Sequence, residues 1–151
     1  MNQPSSRAAP NPQTPRKRIL LVDDEERLTR LTKFNLERGG PYEVRTEHRA
    51  RRAAAAARAF KPDLVLLDVM MPDGDGGQVA ADIRDTPGMK DIPIIFLTAA
   101  VLTSEVKSQA GLIGGEWFMA KPAKTEDLIA CIEQHLRPRS TSAGEVEGRA
   151  P

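Results

Sequence analysis

Leu64-Val65-Leu66-Leu67 is a run with no polar position, preceded by Pro62 and followed by Asp68 and a loop rich in Pro, Asp and Gly. No other stretch constrains the chain as much. A strand that is apolar at every position has both faces buried, as in a parallel sheet covered by helices on either side. The acid that ends the run stands where strand gives way to loop. In open parallel sheets ligands bind beyond the carboxyl ends of the strands, so Asp68 stands where chemistry is done. Read alone, the stretch accommodates a turn-capping role for Asp68 equally well.

The same grammar recurs along the chain. Ile19-Leu20-Leu21-Val22 ends in Asp23-Asp24-Glu25-Glu26, acids that open a helix running to about Arg38, where Gly39-Gly40-Pro41 stops it. Tyr42 to Thr46 reads as a second strand and the Ala-rich stretch Ala50 to Phe60 as a second helix. Beyond the Asp68 strand come a helix from about Gly77 to Asp85, a fourth strand Pro93 to Thr98, a weak helix Ser104 to about Leu112, and a fifth strand Trp117 to Ala120. The last helix has Thr125 at its N-cap, Glu126 and Asp127 in its first turn, and a stripe of Leu128, Ile129, Ile132 and Leu136. Alternating strands and helices predict an α/β fold: a doubly wound five-stranded parallel sheet of flavodoxin-like order 2-1-3-4-5, helices on both faces. Residues 1–16 and 138–151 lack apolar periodicity and read as disordered tails around one domain at 17–137.

Composition removes several classes of function. With 151 residues, 40% of them hydrophobic, the chain can bury one core. A net charge of +1 supplies no basic field for a nucleic-acid backbone. No apolar run approaches the roughly 20 residues of a membrane span. The single cysteine, Cys131, forms no internal disulfide, and the first residues lack a signal-peptide core, which points to the cytoplasm. Arg45, Arg49, Arg51, Arg52 and Arg58 read as a solvated helix face, because no aromatic residue interleaves with them. His48 and His135 read as surface residues and Cys131 as packing. Trp117 suits either core packing or a partner anchor.

The topology gathers the polar strand ends on one rim: Asp23 and Asp24 after the first strand, Asp68 after the third, Thr98 on the fourth and Lys121 after the fifth. Carboxylates converging there repel by about 4 kcal/mol per close pair at an effective dielectric of about 20, so a cation belongs among them. An all-oxygen set beside a lysine suits Mg²⁺, and no His/Cys set is present for zinc. A carboxylate next to Mg²⁺ can attack a phosphoryl group while an ammonium and a hydroxyl stabilise the equatorial oxygens. The plain alternatives are that Asp23 and Asp24 only favour the helix start and that Lys121 is a surface lysine.

Val22-Asp23-Asp24-Glu25, Leu67-Asp68-Val69-Met70-Met71-Pro72, Leu97-Thr98-Ala99 and Met119-Ala120-Lys121-Pro122 stand in an order and spacing that resemble the receiver domain of two-component response regulators. The resemblance covers about Arg18 to Leu136. It implies Asp68 as phosphoacceptor, Mg²⁺ held by Asp23, Asp24, Asp68 and the backbone carbonyl of Met70, Thr98 and Lys121 contacting the phosphoryl group, a cis bond before Pro122, and Phe118 as the switch aromatic. It further implies a phosphohistidine donor on a sensor histidine kinase or histidine phosphotransfer protein. A downstream protein would dock on the face of the fourth helix, fifth strand and last helix. By this resemblance the chain is a signalling switch, not an enzyme, and binds no nucleic acid or membrane.

The short polar stretch after Leu136 favours a stand-alone receiver. Alternatives are a fragment of a larger regulator or hybrid kinase, a phosphorylation-independent receiver-like module, and a Mg²⁺-dependent aspartyl phosphatase; Met70 stands where the last would need a second acid. Gly74 and Gly77 replace apolar side chains common in the family and Ala123 replaces a common Phe, so a looser rim is expected. Met70 is expected to shield the acyl phosphate, with small Ala100 beside the same positions.

Overall fold

The computed structural model describes residues 15–99, 110–113 and 116–136. Both expected tails, except residues 15 and 16, lie outside these residues, as do Ala100 and positions 104–109 of the weak helix. In chain order the elements are β1 (Lys17–Val22), α1 (Glu26–Gly39), β2 (Tyr42–Glu47), a 3₁₀ turn (Ala50–Arg52) leading into α2 (Ala53–Phe60), and β3 (Leu64–Asp68). A short hairpin, β4 (Met70–Met71) with β5 (Gly74–Asp75), precedes α3 (Gly76–Arg84). Then follow β6 (Ile94–Thr98), β7 (Ala110–Ile113), β8 (Glu116–Ala120) and α4 (Thr125–Leu136).

The sheet runs β2-β1-β3-β6-β8-β7. Its first five strands are parallel and stand in the expected order. The sixth, β7, lies antiparallel to β8, with Gly111 opposite Phe118 and Leu112 opposite Trp117. This corrects the expectation of a helix to Leu112: its last three expected residues are strand. Two glycines, Gly114 and Gly115, separate the paired segments, and a two-residue Gly-Gly spacer between apolar runs is a hairpin signal that overrides a weak helical pattern.

Side chains alternate across each strand, which divides the core in two. Leu20, Val22, Val65, Leu67, Ile94 and Phe96 meet Ala53, Ala57 and Phe60 of α2 and Val79, Ala80 and Ile83 of α3. On the other face Ile19, Leu21, Leu64, Leu66, Ile95 and Leu97 meet Leu36 of α1 and Leu128, Cys131 and Ile132 of α4. Every residue of β3 is buried, as a strand covered on both faces requires. After α2, Lys61 adopts the left-handed cap conformation (φ 55°) and donates its N–H to Ala57 O at 2.8 Å, which lets Pro62 redirect the chain into β3. The carboxyl ends of the parallel strands therefore share one edge, supported by helices on both sides.

Candidate functional site

The ladder continues past the strand ends and fixes the backbone that carries the polar residues. Asp23 N–H donates to Glu47 O at 3.0 Å, Val69 N–H to Leu97 O at 2.9 Å, and Lys121 N–H to Thr98 O at 2.9 Å. The side chains expected at the rim are brought together. Carboxylate oxygens of Asp23, Asp24 and Asp68 lie within 4.8 Å of one another. Asp23 and Asp68 are buried and Asp24 half-buried.

Lys121 reaches into this set, with Nζ 2.8 Å from Asp23 Oδ2, 3.3 Å from Glu25 Oε1 and 3.8 Å from Asp68 Oδ2. Asp23 Oδ1 accepts from Glu25 N–H at 3.0 Å, and Asp68 Oδ1 accepts from Met70 N–H at 3.4 Å. Burial first, then the charge of Asp23, pushes the Asp68 carboxyl up to about 6, against the opposing pull of Lys121 and the Met70 N–H. Burial works to lower the Lys121 ammonium, but its hydrogen bond to Asp23 and the charges of Asp23 and Asp68 outweigh this and raise it overall.

The remaining expected residues occupy the same edge. Thr98 is buried at the end of β6, opposite Ala120. Phe118 is half-buried and stacks on Phe96, ring centroids 5.1 Å apart at 22°. The Lys121–Pro122 bond is cis. The Met70 side chain is 72% exposed, and its backbone N–H donates to Asp68 Oδ1 at 3.4 Å. The expected loosening at Gly74 is corrected, since a Cβ there would come 2.9 Å from the Ala50 Cβ; the missing side chain permits close packing. Gly77 is exposed on α3, and Ala123 packs against the core on the α1/α4 side. Trp117 is half-buried, edge-on to the half-buried His135 at 4.8 Å. Cys131 is core, its thiol pushed up to about 11 by burial.

Three neighbours of the site had no sequence signal strong enough to single them out. Glu25 shares Lys121, and the Asp-Asp-Glu run offered it only as a helix-start acid. His48, expected at the surface, is half-buried with Nδ1 3.0 Å from the backbone carbonyl of Asp23. Asp73 accepts from Ala50 N–H at 2.9 Å and Arg51 N–H at 3.3 Å, a long-range contact with no local periodicity to reveal it.

A family profile described as the response regulator receiver domain matches residues 19–133. The chain belongs to this family. Among curated relatives of this receiver domain, it is 38% identical over 132 residues to the alkaline phosphatase synthesis transcriptional regulatory protein PhoP of Bacillus subtilis (strain 168). That match takes in 87% of the chain but 53% of the relative, so the chain spans about half that protein's length. Among solved structures, the chemotaxis protein CheY4 of Vibrio cholerae superposes with TM-score 0.68 at 27% identity, over 80% of this chain and 99% of that one. The signal receiver domain of a Luxo repressor protein from Vibrio parahaemolyticus gives 0.65 at 31%, over 89% and 99%. The acidic pocket of this receiver domain, Asp23, Asp24 and Asp68, is a set able to hold a metal ion. Among the described residues no helix is long and apolar enough to cross a membrane.

Proposed function

We propose that this receiver domain accepts a phosphoryl group on Asp68 from a phosphohistidine of a sensor histidine kinase or histidine phosphotransfer protein, and that a downstream protein reads the change on the side of the sheet formed by β8 and α4. The observation that carries this reading is the crowding of three carboxylates, Asp23, Asp24 and Asp68, with Lys121 against two of them, Asp23 and Asp68. Buried acids at such separations oppose folding, and an all-oxygen set suits a hard divalent cation. Asp23, Asp24, Asp68 and the Met70 carbonyl would hold Mg²⁺. Bound there, it would neutralise phosphoryl oxygens and favour the ionised form of Asp68.

An ionised Asp68 oxygen attacks phosphorus while the phosphorus–nitrogen bond of the phosphohistidine breaks; the electron pair stays with the imidazole, whose other ring nitrogen already carries a proton, so that it leaves neutral. The Lys121 ammonium, 3.8 Å from Asp68 Oδ2, and the Thr98 hydroxyl on the adjacent strand are the donors suited to the phosphoryl oxygens. The phosphoryl group carries roughly −1.5 to −2 of charge in place of the carboxylate's single negative charge, which draws these donors inward and disturbs Phe118 on its Phe96 stack. The chain acts as a switch and not as an enzyme with a separate substrate. A second reading, a receiver serving a longer regulator, is favoured by the 53% span of the Bacillus relative; the chemistry at Asp68 is the same in both.

The test is incubation with acetyl phosphate and Mg²⁺, reading intact mass and Trp117 fluorescence, with Asp68→Ala alongside. A Mg²⁺-dependent mass gain that Asp68→Ala lacks is the expected result. No gain in a folded wild-type protein overturns the reading and leaves a phosphorylation-independent binding module.

A further inference from the structure

We propose that Asp73 is a positioning residue for the acidic site, clamping the hairpin that carries Met70 to the turn that opens α2 and thereby setting the affinity for Mg²⁺. This rests on the Mg²⁺ reading above. The β4/β5 hairpin follows directly on Asp68, and its own pairing, Met70 opposite Asp75 and Met71 opposite Gly74, fixes its shape. Its direction from the sheet depends on what its tip touches.

At that tip both oxygens of the Asp73 carboxylate are used, Oδ1 by Ala50 N–H at 2.9 Å and Oδ2 by Arg51 N–H at 3.3 Å. These belong to the opening turn of a helical segment, whose first N–H groups have no partner within the helix. The Ala50 bond leads the influences that hold the Asp73 carboxyl below its ordinary value. Gly74 completes the clamp, because any side chain there would meet Ala50. The other end of the same loop touches Asp23: Glu47 O accepts the Asp23 N–H and His48 Nδ1 lies 3.0 Å from Asp23 O. Residues 47–51 thus bridge the strand end that bears Asp23 and the hairpin that bears Met70. Loss of the clamp frees the Met70 carbonyl relative to the carboxylates while leaving every carboxylate in place.

A cap that served only α2 would matter for stability alone. The experiment measures Mg²⁺ affinity by calorimetry, and thermal unfolding in EDTA, for wild type, Asp73→Ala, Asp73→Asn and Glu133→Ala. Glu133 bonds Tyr42 at the opposite edge of the sheet, so its removal lowers stability without touching the rim. Asp73→Ala is expected to weaken Mg²⁺ binding about tenfold or more, the range found when second-layer partners are removed. Asp73→Asn, which keeps one acceptor oxygen, falls between, and Glu133→Ala binds as wild type. Wild-type affinity in Asp73→Ala overturns the proposal, as does an equal loss in Glu133→Ala. Wild-type protein that binds no Mg²⁺ overturns the functional reading itself, a result distinct from either.

Discussion

The Lys121 ammonium lies 2.8 Å from Asp23 Oδ2, a full ångström closer than to Asp68 Oδ2. Its primary partner is therefore the acid at the end of β1, and only its secondary partner is the expected phosphoacceptor. Both side chains of the Lys121–Asp23 pair are largely buried, 10% and 2% exposed. Removing one member of such a pair leaves an uncompensated charge, a loss of about 3 kcal/mol. Lys121→Met should lose about that much stability in EDTA at neutral pH, and Mg²⁺ should restore more stability to it than to wild type. Thermal unfolding with and without Mg²⁺ checks both; equal Mg²⁺ shifts in the two proteins contradict the pairing.

Asp68 sets a pH dependence whose sign is fixed by the direction of its shift. Its carboxyl is raised from 3.8 to about 6, so between those values the folded chain holds a proton that the unfolded chain releases. Stability from this group is present below the lower value and is lost as pH rises through the upper one. In EDTA, Asp68→Asn should match wild type at about pH 4 and exceed it above about pH 6. With acetyl phosphate at subsaturating Mg²⁺, modification of wild type should rise between about pH 5 and pH 7 as the nucleophile ionises. A flat profile across that range would sink the argument.

Two adjacent glycines should respond in opposite directions. A Cβ on Gly76 would lie 2.8 Å from Asp68 O and 3.0 Å from Val69 Cα, backbone atoms that cannot turn aside. Gly76→Ala is expected to cost about 1–3 kcal/mol and to weaken Mg²⁺ binding through the shifted Asp68. At Gly77 the nearest contact is the Asp75 carboxylate oxygen at 3.2 Å, which can move, and the position is helical and exposed. Gly77→Ala should be neutral or stabilising by up to about 1 kcal/mol. Denaturant midpoints of the two variants decide the matter.

Phe118 is expected to separate acceptance of the phosphoryl group from its consequences. Its stack on Phe96 is worth about 1 kcal/mol beyond burial, and a half-buried Phe→Ala change should cost about 2 kcal/mol in all, toward the low side of core truncations. Phe118→Ala should still gain mass with acetyl phosphate and Mg²⁺, because no reacting atom is touched. The Trp117 fluorescence change should shrink or vanish. A full Trp117 response in the variant would remove Phe118 from the relay.

The sequence alone determined the parallel order of five strands and the common edge of their carboxyl ends. Continuous apolar runs such as Leu64 to Leu67 admit burial on both faces only, and the acids that end them go wherever the strands go. It likewise named Asp23, Asp24, Asp68, Thr98 and Lys121, since a residue at a strand terminus has little freedom in where it is carried. Tertiary structure decided what depends on contacts between distant segments. Residues 110–112 are strand and not helix because pairing with β8 supplies hydrogen bonds that a weak helical pattern could not outweigh. Gly74 tightens the rim because Ala50, 24 positions earlier, stands against it. Asp73 and His48 acquire partners at Ala50, Arg51 and Asp23 only once the sheet has brought those loops together. Periodicity records which face a residue shows to its own element; which foreign backbone lies within 3 Å of it is set by packing, and no local pattern encodes that.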